Sequence, residues 1–207
     1  MPNKGVNVLN RPRIPVPIPP WVAGRWYEVG FSTSSTYTTV NPGSDAEATL
    51  FYVPNRIAIT AIVAEQTTAG AAGSLARFGL YKDDGFSNPG ALVVDAGTVA
   101  TDGANGAKSL AVSVTLDPGL YWTVIACTST AGIPVWRAQG ATTGFHWLLA
   151  GYLGNPDTPY HSLRMEGTNV TKDMVNNGLP KRWPNIGLST NAHGVSTNSY
   201  VRFLLAT

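Results

Sequence analysis

The sequence predicts an all-β fold: an antiparallel sandwich in one domain, carried behind an extended N-terminal arm. Three observations point there. Apolar residues alternate with period two through much of the chain. The joints between apolar runs carry Asp-Gly, Asn-Gly and Pro-Gly turn chemistry. The N-terminal stretch is spaced with prolines that neither a helix nor a sheet interior accepts.

The arm is residues 1–24, and the sandwich is residues 25–207. In the arm, prolines alternate with Ile14, Val16 and Ile18 and run into Trp21. Polyproline II is the conformation left to such a segment, and it presents apolar side chains with little entropy left to lose on docking. The expectation is a strap in a groove of a neighbouring subunit, with Arg11, Arg13, Ile14, Val16, Ile18 and Trp21 as the anchoring residues. The other reading is a plain linker.

Strand candidates follow at 25–31, 48–53, 57–64, 76–82, 92–99, 109–116, 121–126 and 133–137. Ile57, Ile59, Ala61 and Val63 are expected on one face of their strand, and Leu110, Val112, Val114 and Leu116 on one face of theirs. Asp83-Asp84-Gly85 supplies a residue that tolerates positive φ. Asn88-Pro89-Gly90 and Asp117-Pro118-Gly119 place Pro then Gly as type II turns want them. Many short strands at even spacing suggest a sandwich or barrel.

Residues 138–196 are less regular and are expected to form long ordered loops. Residues 145–153 read equally as one or two helical turns or a strand. Beyond them Asn155-Pro156, Asn176-Asn177-Gly178, Pro180 and Pro184 interrupt any regular element. Residues 199–205 alternate again and are expected to return to the sandwich as a last strand.

Composition agrees with this layout. The chain has 207 residues, 43% of them hydrophobic, enough to bury a core without a disulfide or metal staple. Only 13% are charged, about half the usual share, so the polar surface is built from Thr, Ser, Asn and Gly. The net charge is +2, and Lys4, Arg11, Arg13 and Arg25 all precede the first acid, Glu28. The basic bias therefore belongs to the N-terminus, too sparse for a nucleic-acid footprint. Residues 1–10 lack an apolar stretch of the kind export requires, so no signal peptide is expected there. Residues 118–136 carry no charge but contain prolines and glycines, so they read as strand, turn and strand and not as a membrane helix.

Residues 77–99, from Arg77-Phe-Gly-Leu-Tyr through Asp83-Asp-Gly85 and Pro89-Gly-Ala-Leu to Asp95-Ala-Gly-Thr-Val99, resemble a recurrent module of phage tail fibre and minor tail proteins. Leu116-Asp-Pro-Gly-Leu-Tyr-Trp122 and Gly24-Arg-Trp-Tyr27 are similar to the same family. The resemblance spans about residues 24–137. It implies a jelly-roll sandwich displayed on a virion, often in threefold assemblies. The chain departs from the fibre type in having no coiled-coil or collagen-like shaft.

The residues show no catalytic constellation. There is no Gly-x-Ser-x-Gly elbow and no phosphate-loop signature beyond a loose echo at 103–108. His146, His161 and His193 are not in metal spacing. Asp83, Asp84 and Asp95 offer too few unambiguous oxygens for calcium. Cys127 sits in an apolar run and reads as a small core residue. No cofactor and no metal is expected. The aromatic residues of the irregular region, Trp136, Trp147, Tyr152, Tyr160, His161 and Trp183, are the candidates for receptor or glycan contact, the alternative being that they pack loops onto the sandwich.

The expected function is therefore that of a phage virion structural protein, not an enzyme. It would sit on the particle surface, bound to other capsid or tail proteins, as a homo-oligomer and by expectation a trimer. Its role would be host attachment, with surface glycan as a partner and with neither nucleic-acid binding nor membrane insertion. A capsid decoration protein that stabilises the head is the alternative, and a glycan depolymerase is a remoter third.

Overall fold

A computed structural model describes residues 22–28, 37–40, 46–86, 88–128, 132–139, 162–165, 168–183, 188–189 and 201–206. The strands in chain order are β1 (Trp26–Glu28), β2 (Tyr37–Val40), β3 (Ala46–Val53), β4 (Ile57–Thr68), β5 (Leu75–Asp83), β6 (Pro89–Ala100), β7 (Gly106–Leu116), β8 (Gly119–Cys127) and β9 (Val135–Gln139). Then come β10 (Ser162–Met165), the helix α1 (Thr168–Asn177), β11 (Leu188–Ser189) and β12 (Val201–Leu205).

Two antiparallel sheets result. Sheet I has the order β1-β12-β4-β9-β2, with β7 on the other edge of β4; sheet II has the order β11-β10-β3-β8-β5-β6. The inner faces meet in one apolar cluster. Sheet I contributes Ile57, Ile59, Ile62, Leu116, Trp136 and Ala138, and sheet II contributes Phe51, Val53, Phe78, Leu80, Tyr121 and Ile125. The all-β antiparallel sandwich predicted from alternation is the fold observed. Each of the predicted strand runs contains a strand, including the last one at Val201–Leu205.

Three expectations are corrected. Ile57, Ile59, Ala61 and Val63 do not share a face. β4 pairs Ile59 with Val114 but Ala61 with Ala111, so β4 advances two residues while β7 advances three. This irregularity changes the parity of β4, and the inward set becomes Ile57, Ile59, Ile62 and Ala64. Ala61 and Val63 pair with the exposed Ala111 and Ser109 and belong to the opposite face. In β7 the expected set Leu110, Val112, Val114 and Leu116 does line the core.

Secondly, Asn88-Pro89-Gly90 is not a type II turn. Pro89 and Gly90 open β6, proline being tolerated at the first residue of a strand. The reversal is made just before it, where Gly85 adopts φ 90°. Thirdly, residues 138–196 are not all loop, because β10, α1 and β11 lie among them.

The helix gives sheet II a third layer. Met174 and Val175 of α1, with Leu179 and Trp183 beyond it, cover Ala46, Ala48 and Leu50 of β3, Tyr81 of β5 and Trp122, Val124 and Ala126 of β8. The helix stops at Gly178, which takes φ 99° and donates its N–H to Met174 O at 3.2 Å. This is the left-handed cap that only glycine adopts cheaply.

Candidate functional site

The segment after α1 is pinned to the outer face of sheet II, and the pinning builds the site. Arg77 of β5 and Asp95 of β6 form an ion pair at 2.7 Å, with their side chains 15% and 25% exposed. Arg77 Nε also donates to Val175 O at 3.1 Å, and Asp95 Oδ2 accepts Leu179 N–H at 2.9 Å. Burial pushes the Asp95 carboxyl up, but hydrogen bonds from Leu179, Gly97 and Arg77, with the Arg77 charge, outweigh it and hold the carboxyl below its ordinary range.

Leu179 then enters a gap left by Gly79 of β5. A Cβ on Gly79 would strike Leu179 Cδ1 and stand 2.7 Å from Val94 O. Further on, Tyr81 Oη donates to Pro180 O at 2.8 Å. Burial, with the Asp95 charge adding to it, pushes the Tyr81 hydroxyl above the ordinary tyrosine range. Leu92 N–H donates to Lys181 O at 2.9 Å and Trp183 N–H to Gly90 O at 3.0 Å, so residues 181–183 lie along the edge of β6. An added segment of this kind satisfies edge groups that otherwise invite other chains.

A cleft of about 370 Å³ lies between this segment and the β5–β6 turn. It is lined by Lys82, Asp83 and Asp84 at the end of β5 and in the turn after it, by Pro89, Gly90 and Ala91 of β6, and by Arg182 and Trp183. The aspartates are oriented by the turn. Asp83 accepts Gly85 N–H at 2.8 Å through Oδ1 and the Trp122 indole N–H at 2.8 Å through Oδ2. Asp84 Oδ1 accepts Phe86 N–H at 2.7 Å and Asn88 N–H at 3.2 Å. Beside the cleft the turn projects Phe86, which is 81% exposed.

The residues singled out from sequence are distributed as follows. Trp136 and Trp183, expected as exposed contacts, are 0% and 4% exposed, so neither offers a ring face to a receptor. Trp136 stands edge-on to Phe78 between the sheets, with centroids 5.8 Å apart. Trp183 stands edge-on to Tyr81 at 5.3 Å. Alternation along Val135, Trp136, Arg137 and Ala138 was the signal that Trp136 points inward. Trp147, Tyr152, Tyr160 and His161 lie outside the described residues, as do the arm residues Arg11, Arg13, Ile14, Val16, Ile18 and Trp21. Sequence reasoning missed Phe86 and Arg182, although a phenylalanine inside an Asp-Asp-Gly-Phe turn is itself a signal of an exposed apolar group.

Asp95 does not join Asp83 and Asp84, because its carboxylate is turned to Arg77 and the end of α1. Among the described residues no group of three or more His, Cys, Asp or Glu side chains could hold a metal ion. Cys127 is 1% exposed, and burial pushes its thiol up to about 12. The thiol therefore stays protonated at neutral pH and is the core residue expected.

The fold and the cleft define a small β-sandwich with one face capped by a helix. The chain matches no protein-family profile and no curated protein. Among solved structures it is similar to a clostridial cysteine protease, Cwp84, after propeptide cleavage, at 10% identity and a TM-score of 0.48, covering 88% of this chain and 40% of that one. It is also similar to the cysteine protease and lectin-like domains of Cwp84, a surface layer associated protein of Clostridium difficile, at 8% identity and a TM-score of 0.44, covering 84% and 37%. The chain spans less than half of those proteins, and at this level the likeness carries nothing about activity or ligand.

Proposed function

We propose that the chain is a bacteriophage virion structural protein, displayed on the particle surface and acting in host attachment by binding, not by catalysis. One observation carries the reading. The residues that resemble the phage tail module, 77–99 and 116–122, come together as β6, β5 and the start of β8, neighbours in one sheet. The cleft and the exposed Phe86 sit on that unit, so a binding surface belongs to the part of the chain that carries the resemblance. The jelly-roll strand order, the homotrimer and the partnership with tail or capsid proteins are part of the same proposal. So is the anchoring role of Arg11, Arg13, Ile14, Val16, Ile18 and Trp21 in the arm.

A second reading, a capsid decoration protein, is favoured by one feature. Ala107, Ser109, Ala111, Ser113 and Thr115 form an exposed, uncharged row of small side chains on β7, a surface that offers close approach to another subunit. Particles lacking the protein separate the two. Intact heads that no longer adsorb to host cells support attachment. Normal adsorption with heads that burst on mild heating supports decoration and overturns attachment.

A further inference from the structure

We infer that the cleft between the β5–β6 turn and Trp183 takes a single neutral sugar ring, a hexopyranose unit of a surface glycan. The inference deepens the attachment reading and rests on it for its biological setting. Its chemistry comes from the lining.

The cleft holds two cations, Lys82 and Arg182, and two carboxylates, Asp83 and Asp84. An anionic ligand meets both carboxylates and a cationic ligand meets both cations, so the balance of charge favours a neutral one. A sugar hydroxyl both donates and accepts, and it uses both kinds of lining group at once. The acceptors are already oriented. Asp83 is held by the Trp122 indole at 2.8 Å and Asp84 by Phe86 N–H at 2.7 Å, and both Asp83 oxygens and Asp84 Oδ2 keep lone-pair capacity. Ordering them therefore costs a ligand little.

Two further features fit a ligand of this size. A Cβ on Gly90 would stand 3.0 Å from Lys82 O and 3.1 Å from Asp84 Cβ, so glycine lets β6 lie close to the lining residues Lys82 and Asp84. Trp183 closes the cleft on the side of the added segment, held there by its backbone N–H on Gly90 O at 3.0 Å. The volume of about 370 Å³ lies at the small end of small-molecule sites and suits one ring better than a chain of them.

The test uses the full chain. Methyl glycosides of glucose, galactose, mannose and N-acetylglucosamine are titrated beside glucuronate, glucosamine and a zwitterionic amino acid, by ligand-observed NMR and calorimetry. At least one neutral glycoside binds, with a Kd on the order of 1 mM, and the charged and zwitterionic probes bind at least about tenfold more weakly. Arg182→Ala, an exposed position, lowers that affinity about tenfold and leaves thermal melting unchanged. Absence of binding by every neutral glycoside overturns the inference. So does equal binding of a charged probe, or full affinity in Arg182→Ala. If particles lacking the protein fail to adsorb while no glycoside binds, attachment stands and the sugar site falls. If a glycoside binds and adsorption is normal, the site stands and the attachment role falls.

Discussion

Strands β7 and β8 follow one another in the chain, and they are buried differently. In β7 every second residue is exposed, from Ala107 to Thr115, while Leu110, Val112 and Val114 turn inward. In β8 every residue from Tyr121 to Cys127 is buried. The reason is what lies above each sheet. The outer face of β7 has no described element packed on it, whereas the outer face of β8 has α1 and the segment that follows it. Strict alternation thus marks a strand with one covered face, and a continuous apolar run marks a strand covered on both. The Trp122-Thr-Val-Ile-Ala-Cys127 run announces a third layer before any helix is recognised.

The comparison is broken most strongly from the inside. Trp136→Ala opens a hole between the sheets and is expected to cost about 3–5 kcal/mol in urea unfolding, with hydrogen exchange accelerated across both sheets. Leu179→Ala removes a contact of the outer layer. It is expected to cost about 2 kcal/mol, with faster exchange confined to 168–183 and the adjoining β5 and β6. Equal, global effects of the two substitutions would show that the helix layer and the sandwich are one cooperative unit.

Asp95→Asn comes next, because it weakens the hold on the outer layer without opening a cavity. The folded carboxyl titrates below its unfolded value. Its contribution is therefore complete above about pH 4 and is lost as pH falls through the lower, folded pKa. The variant is expected to melt lower than the wild type at pH 7, and the gap is expected to narrow as both are acidified below about pH 4. A gap that is constant with pH would mean that the carboxylate charge is not what holds α1. The smallest effect is expected on the uncovered face. Ser113→Lys changes stability by less than about 0.5 kcal/mol, since the side chain points to solvent.

The strands were legible because alternation and turn residues agreed along most of the chain. The parity change in β4 was not. Ile57, Ile59, Ala61 and Val63 alternate in sequence as evenly as a regular strand, and only the pairing with β7 shows the shift. The helix was hidden by its own composition. Thr168–Asn177 reads Thr-Asn-Val-Thr-Lys-Asp-Met-Val-Asn-Asn, mostly poor helix formers, with no acid in its first turn and no base in its last. Packing of Met174 and Val175 on sheet II makes it a helix, and that is a tertiary fact. The cleft was invisible for a similar reason. Arg182 and Trp183 line one cleft with Asp83 and Asp84 at the end of a segment that Asp95 and Gly79 hold through Leu179.

The Arg77–Val175 hydrogen bond joins positions 98 residues apart. A ribosome delivers β3, β5 and β8 well before it delivers Leu179 and Trp183. Until those arrive, the side of sheet II that carries Leu50, Tyr81 and Trp122 is a sticky surface on a nascent chain. A polypeptide ended between 128 and 165 would keep that surface uncovered and aggregate, so assembly of this molecule is completed from its C-terminal half.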